Sequence, residues 1–359
     1  MISRDARIGN DVEHGDNFKV RDFATLKGKN IIGDRVDIYQ YANVGMGTVI
    51  EDDVYFGMRA STLNTRKIIY HRKGMAPRAA QEPVIIRRGA RIASHALILP
   101  GVEIGEETLV GAASVVTKHT FPYGIYYGNP AEWKGWVPPE EYLVPPVDNP
   151  KRIYIMGCAK TGTTLLLRLF HAFKDVRVIE REIGLGPFLK WRSSLPVIVG
   201  KRAGLSLFSN TLPKGKDKVQ RNILESNDIK VIVLVRDPAD VMESRYVSAQ
   251  RYLDSMAQIE GMPQADWLTA IQYENLVENP DEIQEGIAHW LGLEIEHKWS
   301  EYPAFFPEAS RRLLIDPEGP NSLRPINTDR IGKGYNWKRQ ATPVQVREIT
   351  KIMQEWRYA

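Results

Sequence analysis

The sequence predicts two domains: a three-sided solenoid of short parallel strands, then an α/β domain around a central parallel sheet. Three observations predict this. Apolar residues recur at every sixth position through much of the first 136 residues. A run with five prolines in fifteen residues, 136–150, follows. Beyond it lie continuous apolar strand-like segments, the first ending in a glycine turn that opens an apolar helix. A length of 359 residues fits two domains of about 100–200 residues each.

The period starts at Ile2 and runs through Ile8, His14, Val20, Leu26, Ile32, Ile38, Val44, Ile50 and Phe56. It returns at Ile86, Ile92, Ile98, Ile104, Val110 and Val116. Six residues match neither the 3.6 of an α-helix nor the 2 of a strand. They match a repeat whose coil has three faces, each turning one apolar residue inward. Glycine or another small residue turns each corner, as in Ile8-Gly9, Ile32-Gly33, Val44-Gly45 and Phe56-Gly57. About five coils are implied, with His14 at a core-type position. Residues 61–83 interrupt the repeat and carry Asn64, His71 and Arg72. A loop leaving a rigid coil is where a site is commonly built.

The proline-rich run cannot sustain a helix or a central strand. It reads as a semi-rigid spacer, which sets the domains at 1–136 and 151–359, with a linker at 137–150. In the second domain strands are expected at Ile153–Met156, Val176–Ile179 and Lys230–Val235, and helices at 163–174, 238–257 and 279–291. Continuous apolar runs suit strands buried on both faces of a parallel sheet.

The chemistry concentrates after the first of these strands. Gly157-Cys158-Ala159-Lys160-Thr161-Gly162-Thr163-Thr164 combines small residues, a lysine and three threonines at the start of a helix. Close backbone approach, amide donors and a point charge make a phosphate cradle. It departs from the usual triphosphate loop, because Lys160 precedes Gly162 and no Lys-Ser/Thr pair follows. Arg236 closes another strand, where α/β sheets bind ligands, and Ser244 follows eight residues later. The net charge of +4 suits an anionic small substrate, and no long basic run points to nucleic acid. A single cysteine, Cys158, excludes an intrachain disulfide and a cysteine-rich metal site. The N-terminus lacks the apolar core of a signal peptide, and no apolar run approaches a membrane span. The expected location is cytoplasmic.

Two resemblances follow from these residues. Ile92-Ala93-Ser94-His95-Ala96-Leu97-Ile98-Leu99-Pro100-Gly101, Leu109-Val110-Gly111-Ala112-Ala113-Ser114 and the ending Tyr127-Gly128-Asn129-Pro130-Ala131 resemble the hexapeptide-repeat acyltransferases. The resemblance covers about residues 1–136 and implies a left-handed parallel β-helix. It also implies a homotrimer that binds acetyl-CoA between adjacent solenoids. Asn64, His71 and His95 are the implied catalytic candidates, with Gly111 and Lys118 lining the coenzyme groove. The family usually has Gly-Ala-Asn where this chain has Ala93-Ser94-His95.

The second domain resembles the sulfotransferases that use PAPS (3′-phosphoadenosine 5′-phosphosulfate). Lys160 to Thr164 matches their 5′-phosphosulfate loop, and Arg236, Asp240-Val241 and Ser244 match their 3′-phosphate motif. Tyr273-Glu274-Asn275-Leu276 and Gly334-Tyr335-Asn336-Trp337-Lys338 resemble two later segments. The resemblance implies a P-loop-like α/β fold, PAPS or PAP binding by Lys160, Thr161, Gly162, Thr163, Thr164, Arg236, Ser244 and Lys338, and metal-free chemistry. Its base would be Glu182 first, or Glu180 two residues earlier, while His171 reads as a packed helix residue. The expected function is sulfation of a carbohydrate or nucleotide-sugar hydroxyl or amine, coupled to acetyl transfer by the solenoid. An alternative leaves the solenoid as a trimerisation or glycan-binding scaffold. A third reading is a nucleotide-binding scaffold or kinase.

Overall fold

The structure is a computed structural model. It describes residues 1–66, 81–203, 223–224, 226–243, 247–260, 265–307, 326 and 342–357. His71, Ser244 and Lys338 fall outside these residues. The chain forms two compact units, one centred on Met1–Val147 and the other on Asp148–Lys190 and Leu195–Phe306.

In the first unit, two-residue strands follow one another at six-residue intervals from β1 (Arg7–Ile8) to β16 (Val115–Val116). Each from β1 to β13 pairs in parallel with the strand three further on. Arg7 faces Thr25 and Thr25 faces Asn43, so one coil takes 18 residues. Three sheets result, and together they make a parallel β-helix. The inward residues Val20, Ile38, Phe56, Ile92 and Val110 are among those that form a continuous buried core. His14 shares their phase but lies on the edge strand of its sheet. It is exposed there and stacks on Phe18 at 5.0 Å.

Across the interruption, Ser61 faces Leu97 and Val49 faces Ile85, 36 positions apart instead of 18. The insertion is therefore one coil long, which preserves the phase. Ser61 and Thr62 remain in the ladder, so the loop leaves two residues later than expected.

The corners correct a second expectation. The left-handed residue of each corner lies three positions after the inward one and is of any size: Gly47, Gly89 and Gly101 hold it, and so do Phe23, Arg35, Tyr41, Arg59 and His95. The glycines after the inward residues serve clearance between coils. A Cβ on Gly57 would lie 2.7 Å from the Ile92 carbonyl oxygen. The last coil ends in an antiparallel hairpin, β17 (Gly124–Gly128) with β18 (Ala131–Trp136). The following residues lie on that coil. The Glu107 carboxylate accepts the Leu143 and Val144 amides at 3.2 and 2.9 Å, and the Tyr123 hydroxyl donates to the Val144 carbonyl at 2.9 Å.

The second unit holds a parallel sheet. Its strands are β19 (Lys151–Gly157), β20 (Val176–Glu182), β21 (Val197–Ala203), β22 (Ile229–Val235) and β23 (Leu268–Gln272), in the order β20-β21-β19-β22-β23. The helix Thr163–Leu169 passes into a 3-10 turn, Phe170–Ala172, and Phe173 is extended, so the helix is shorter than the expected 163–174. The expected helix 238–257 is two, Pro238–Glu243 and Ala249–Glu260, with Val247 and Ser248 outside both. Pro280–Leu291 matches its expectation, opened by a proline and closed by Gly292 at φ +61°.

The strand order places the site. From β19 the chain moves toward β20, and from β22 it moves the other way, toward β23. Connections that leave adjacent strands on opposite sides open a crevice at their carboxyl ends. The Lys160 loop and Arg236 are the two segments at that crevice.

Candidate functional site

The loop after β19 turns sharply because Lys160 and Gly162 are both left-handed, at φ +72° and +97°. A side chain at Gly162 is doubly excluded, since its Cβ would also lie 2.5 Å from the Tyr273 ring. Thr161 is buried, and its hydroxyl donates to the Cys158 carbonyl at 2.8 Å, inside the turn. Thr163 is buried and Thr164 half-buried. The Cys158 thiol is raised by burial.

Gly157 of β19 faces Leu234 of β22, so Arg236 emerges beside the loop. One guanidinium nitrogen donates to the Lys160 carbonyl and another to Asp240 Oδ2, each at 3.4 Å. The guanidinium also lies 4.2 Å from the centre of the Tyr273 ring. That ring thus touches both segments: it backs Gly162 and stacks under Arg236. Glu274 accepts the Asp237 amide at 3.0 Å, and the Tyr252 hydroxyl donates to the Arg236 carbonyl at 3.2 Å. Burial raises both Glu274 and Tyr252.

The other flank is built by an irregularity in β20. Val178 faces Val199 and Glu182 faces Lys201, so four steps on β20 match two on β21. Such a bulge re-aims side chains. Glu180 pairs with His171, both nearly buried at 10% and 13% side-chain exposure. Glu182 Oε1 accepts from Lys201 Nζ and from the Ala203 amide, each at 3.3 Å. Lys201 is buried. Burial lowers its pKa, while the Glu182 charge pulls it back up.

The second unit therefore brings together Lys160, Thr161, Gly162, Thr163, Thr164 and Arg236, with Glu180 and Glu182 at the end of β20. The described candidates of the first unit divide between two corners of one sheet. Thr62, Ile98 and Val116 share a ladder. Asn64 and Lys118 each follow it by two residues, whereas His95 and Gly111 precede the strands of the same sheet. Asn64 Nδ2 donates to the Met46 carbonyl at 3.2 Å. His95 is an exposed corner residue, and Lys118 is exposed. A Cβ on Gly111 would meet the Tyr127 side chain at 2.7 Å.

Sequence reasoning noted Tyr273 as part of a segment but gave it no place in the site, and it missed Lys201. The signal for Lys201 was a lysine inside Val197-Ile198-Val199-Gly200-Lys201, a strand too short to stand out by itself.

Residues 150–260 match the sulfotransferase domain family. The first unit is similar to sugar acetyltransferases. The dTDP-3-amino-3,6-dideoxy-α-D-galactopyranose 3-N-acetyltransferase of Aneurinibacillus thermoaerophilus is 47% identical over 53 residues, 15% of this chain and 28% of that protein. The bifunctional protein GlmU of Thermotoga petrophila is 29% identical over 136 residues, 36% of this chain and 29% of that protein. The chain thus spans less than a third of these curated relatives. Among solved structures, AntD, an N-acyltransferase from Bacillus cereus in complex with dTDP and 3-hydroxybutyryl-CoA, is 26% identical, with 39% of this chain and 80% of that chain covered and a TM-score of 0.34. The chain joins a β-helix similar to acetyltransferases to a region that matches the sulfotransferase domain family. No described helix is long and apolar enough to cross a membrane.

Proposed function

We propose that the chain is a bifunctional glycan-tailoring enzyme. Its second unit transfers a sulfuryl group from PAPS to a carbohydrate or nucleotide-sugar hydroxyl or amine. Its β-helix acetylates a sugar with acetyl-CoA, as part of a homotrimer. One observation carries the first half: the Lys160 loop and Arg236, 76 residues apart in sequence, meet at adjacent strand ends. PAPS carries two separated anionic groups, and this arrangement supplies a basic group for each.

In this reading the loop from Lys160 to Thr164 holds the phosphosulfate through backbone amides and the threonines at its helical end. Arg236, with Ser244 and Lys338, holds the 3′-phosphate. Glu182 takes the acceptor's proton as the acceptor oxygen or nitrogen bonds to sulfur. The bond from sulfur to the 5′-phosphate oxygen breaks, and Lys160 balances the charge left there. Glu182 is preferred to Glu180 because its side chain is 52% exposed, whereas Glu180 is buried against His171. In the β-helix, Asn64, His71 and His95 are the acetyl-transfer candidates, and Gly111 and Lys118 line the coenzyme groove. Their division between two corners supports a site completed by a neighbouring copy. We place the reaction in the cytoplasm.

A second reading has the β-helix as a trimerisation or glycan-binding scaffold. It is favoured by His95, which occupies the same left-handed corner position as Phe23, Tyr41 and Arg59. Mass spectrometry of products from PAPS, acetyl-CoA and a panel of sugars, nucleotide sugars and oligosaccharides separates the readings. Sulfated and acetylated products, with sulfation alone lost in Lys160→Ala, establish the bifunctional enzyme. Sulfation without acetyl transfer to any acceptor establishes the scaffold. Neither product overturns both.

A further inference from the structure

We infer that Lys201 is a positioning residue for Glu182; the inference rests on Glu182 being the base of the sulfuryl transfer proposed above. Lys201 lies on β21, between β19, which carries the phosphate loop, and β20, which carries Glu182. In register it faces Ile155 on one side and Glu182 on the other.

A lysine here is an unusual choice. Its side chain is 7% exposed, in a strand that is otherwise Val197-Ile198-Val199-Gly200 at this depth. Burying an ammonium costs several kcal/mol unless it is well paired. Here the cation is buried and the carboxylate is 52% exposed, so the buried charge holds a group that is presented outward.

The geometry of the contact is directional. The Lys201 ammonium and the Ala203 amide both donate to Oε1. Two donors on one oxygen fix the carboxylate plane and leave Oε2 to receive a proton. The bulge in β20 is what brings Glu182 opposite Lys201. The neighbouring charges support this assignment. Arg168, from the helix Thr163–Leu169, and Glu180, on β20, act on Lys201 in opposite directions, and His171 pairs with Glu180. Glu182 acts on Lys201 both through space and by hydrogen bond, more strongly than either of those two.

The test is a double-mutant cycle on the full chain. The readout is PAP release from PAPS with water as acceptor, alongside calorimetric affinity for PAP. In Lys201→Met, kcat is expected to fall about 100-fold, the scale of a catalytic group displaced by about 1 Å. KM for PAPS and PAP affinity stay within about twofold, and Lys201→Arg recovers part of the loss. In the Glu182→Gln background, Lys201→Met costs nothing further, because the group it positions is gone. If Lys201→Met slows the Glu182→Gln enzyme by the same factor as the wild type, the inference is overturned. A parallel loss of PAP affinity also overturns it, by making Lys201 a donor-binding residue. If Glu182→Gln keeps wild-type turnover, it is the assignment of the base that has failed. Should Lys201→Met not fold, the cycle with Lys201→Arg gives the same comparison.

Discussion

Each unit of this chain buries a basic side chain beside carboxylates, and the two arrangements differ. In the β-helix, Arg87 meets Glu51 at 2.7 Å and Glu103 at 2.8 Å, with side-chain exposures of 11%, 27% and 13%. Burial pulls its pKa down, and the two carboxylates more than reverse this. In the α/β unit, Lys201 meets the half-exposed Glu182 at 3.3 Å. The first cation closes a charge cluster within the coil stack. The second displays a carboxylate at a crevice. Burial of a charge is thus no guide to its role until the exposure of its partner is known.

The largest effect that separates the two is on folding. Arg87→Met leaves two mostly buried carboxylates together and is expected to cost about 3–5 kcal/mol. Denaturant melts should show this while PAP affinity is unchanged; a cost under about 1 kcal/mol would remove the contrast.

Arg236→Ala reads out at the crevice through PAP affinity, and it also takes a partner from the buried Asp240 carboxylate. Removing one charge-assisted anchor of this kind costs about 1.5–3 kcal/mol, so PAP affinity should fall about 10- to 150-fold by calorimetry. An unchanged affinity would take Arg236 out of the site.

Gly162→Ala tests the coupling through Tyr273. The substitution forces a Cβ into the ring and a side chain into a left-handed residue, at about 1–3 kcal/mol. PAP affinity should drop about tenfold, the fold-change for 1.4 kcal/mol. A variant that binds normally would mean that the Tyr273 ring gives way.

The smallest effect lies on the β-helix surface. The hydrogen bond from Arg35, helped by Arg88, holds the Asp53 carboxyl below its ordinary value of 3.8, against burial. A depressed carboxylate contributes stability above its unfolded pKa and loses it as pH falls through the folded value. The wild type should therefore lose stability on acidification below the ordinary aspartate range, with a shallower loss in Asp53→Asn. Identical acid profiles would show that the pair contributes nothing.

The two units also differed in how far they could be read from sequence. The β-helix repeats one local rule, and strand partners from β1 to β16 lie 18 residues apart, or 36 across the insertion. The period therefore revealed the coil, the core and the insertion. It misplaced the corners at the residue after the inward one, whereas the left-handed backbone comes two residues later, held by glycine in some coils and by large residues in others. In the α/β unit, β19 and β22 announced themselves by length and apolarity. β21 did not, since Gly200 yields to the Phe188 ring, 2.8 Å from where a Cβ would lie, and Lys201 breaks the apolar pattern. The residues proposed to bind the anions stood out because a turn needs small residues and an anion needs a base. Lys201 and Tyr273 were not, because their roles depend on strand order and ring placement, which no local pattern records.

The central claim is that the Lys160 loop and Arg236 together hold adenosine 3′,5′-bisphosphate. Calorimetric titration of the full chain with PAP and with ATP tests it most directly. The account predicts that PAP binds at least about 100-fold more tightly than ATP, a difference of about 2.7 kcal/mol, and that Lys160→Ala and Arg236→Ala each weaken PAP. Tight ATP binding with no detectable PAP binding would contradict it.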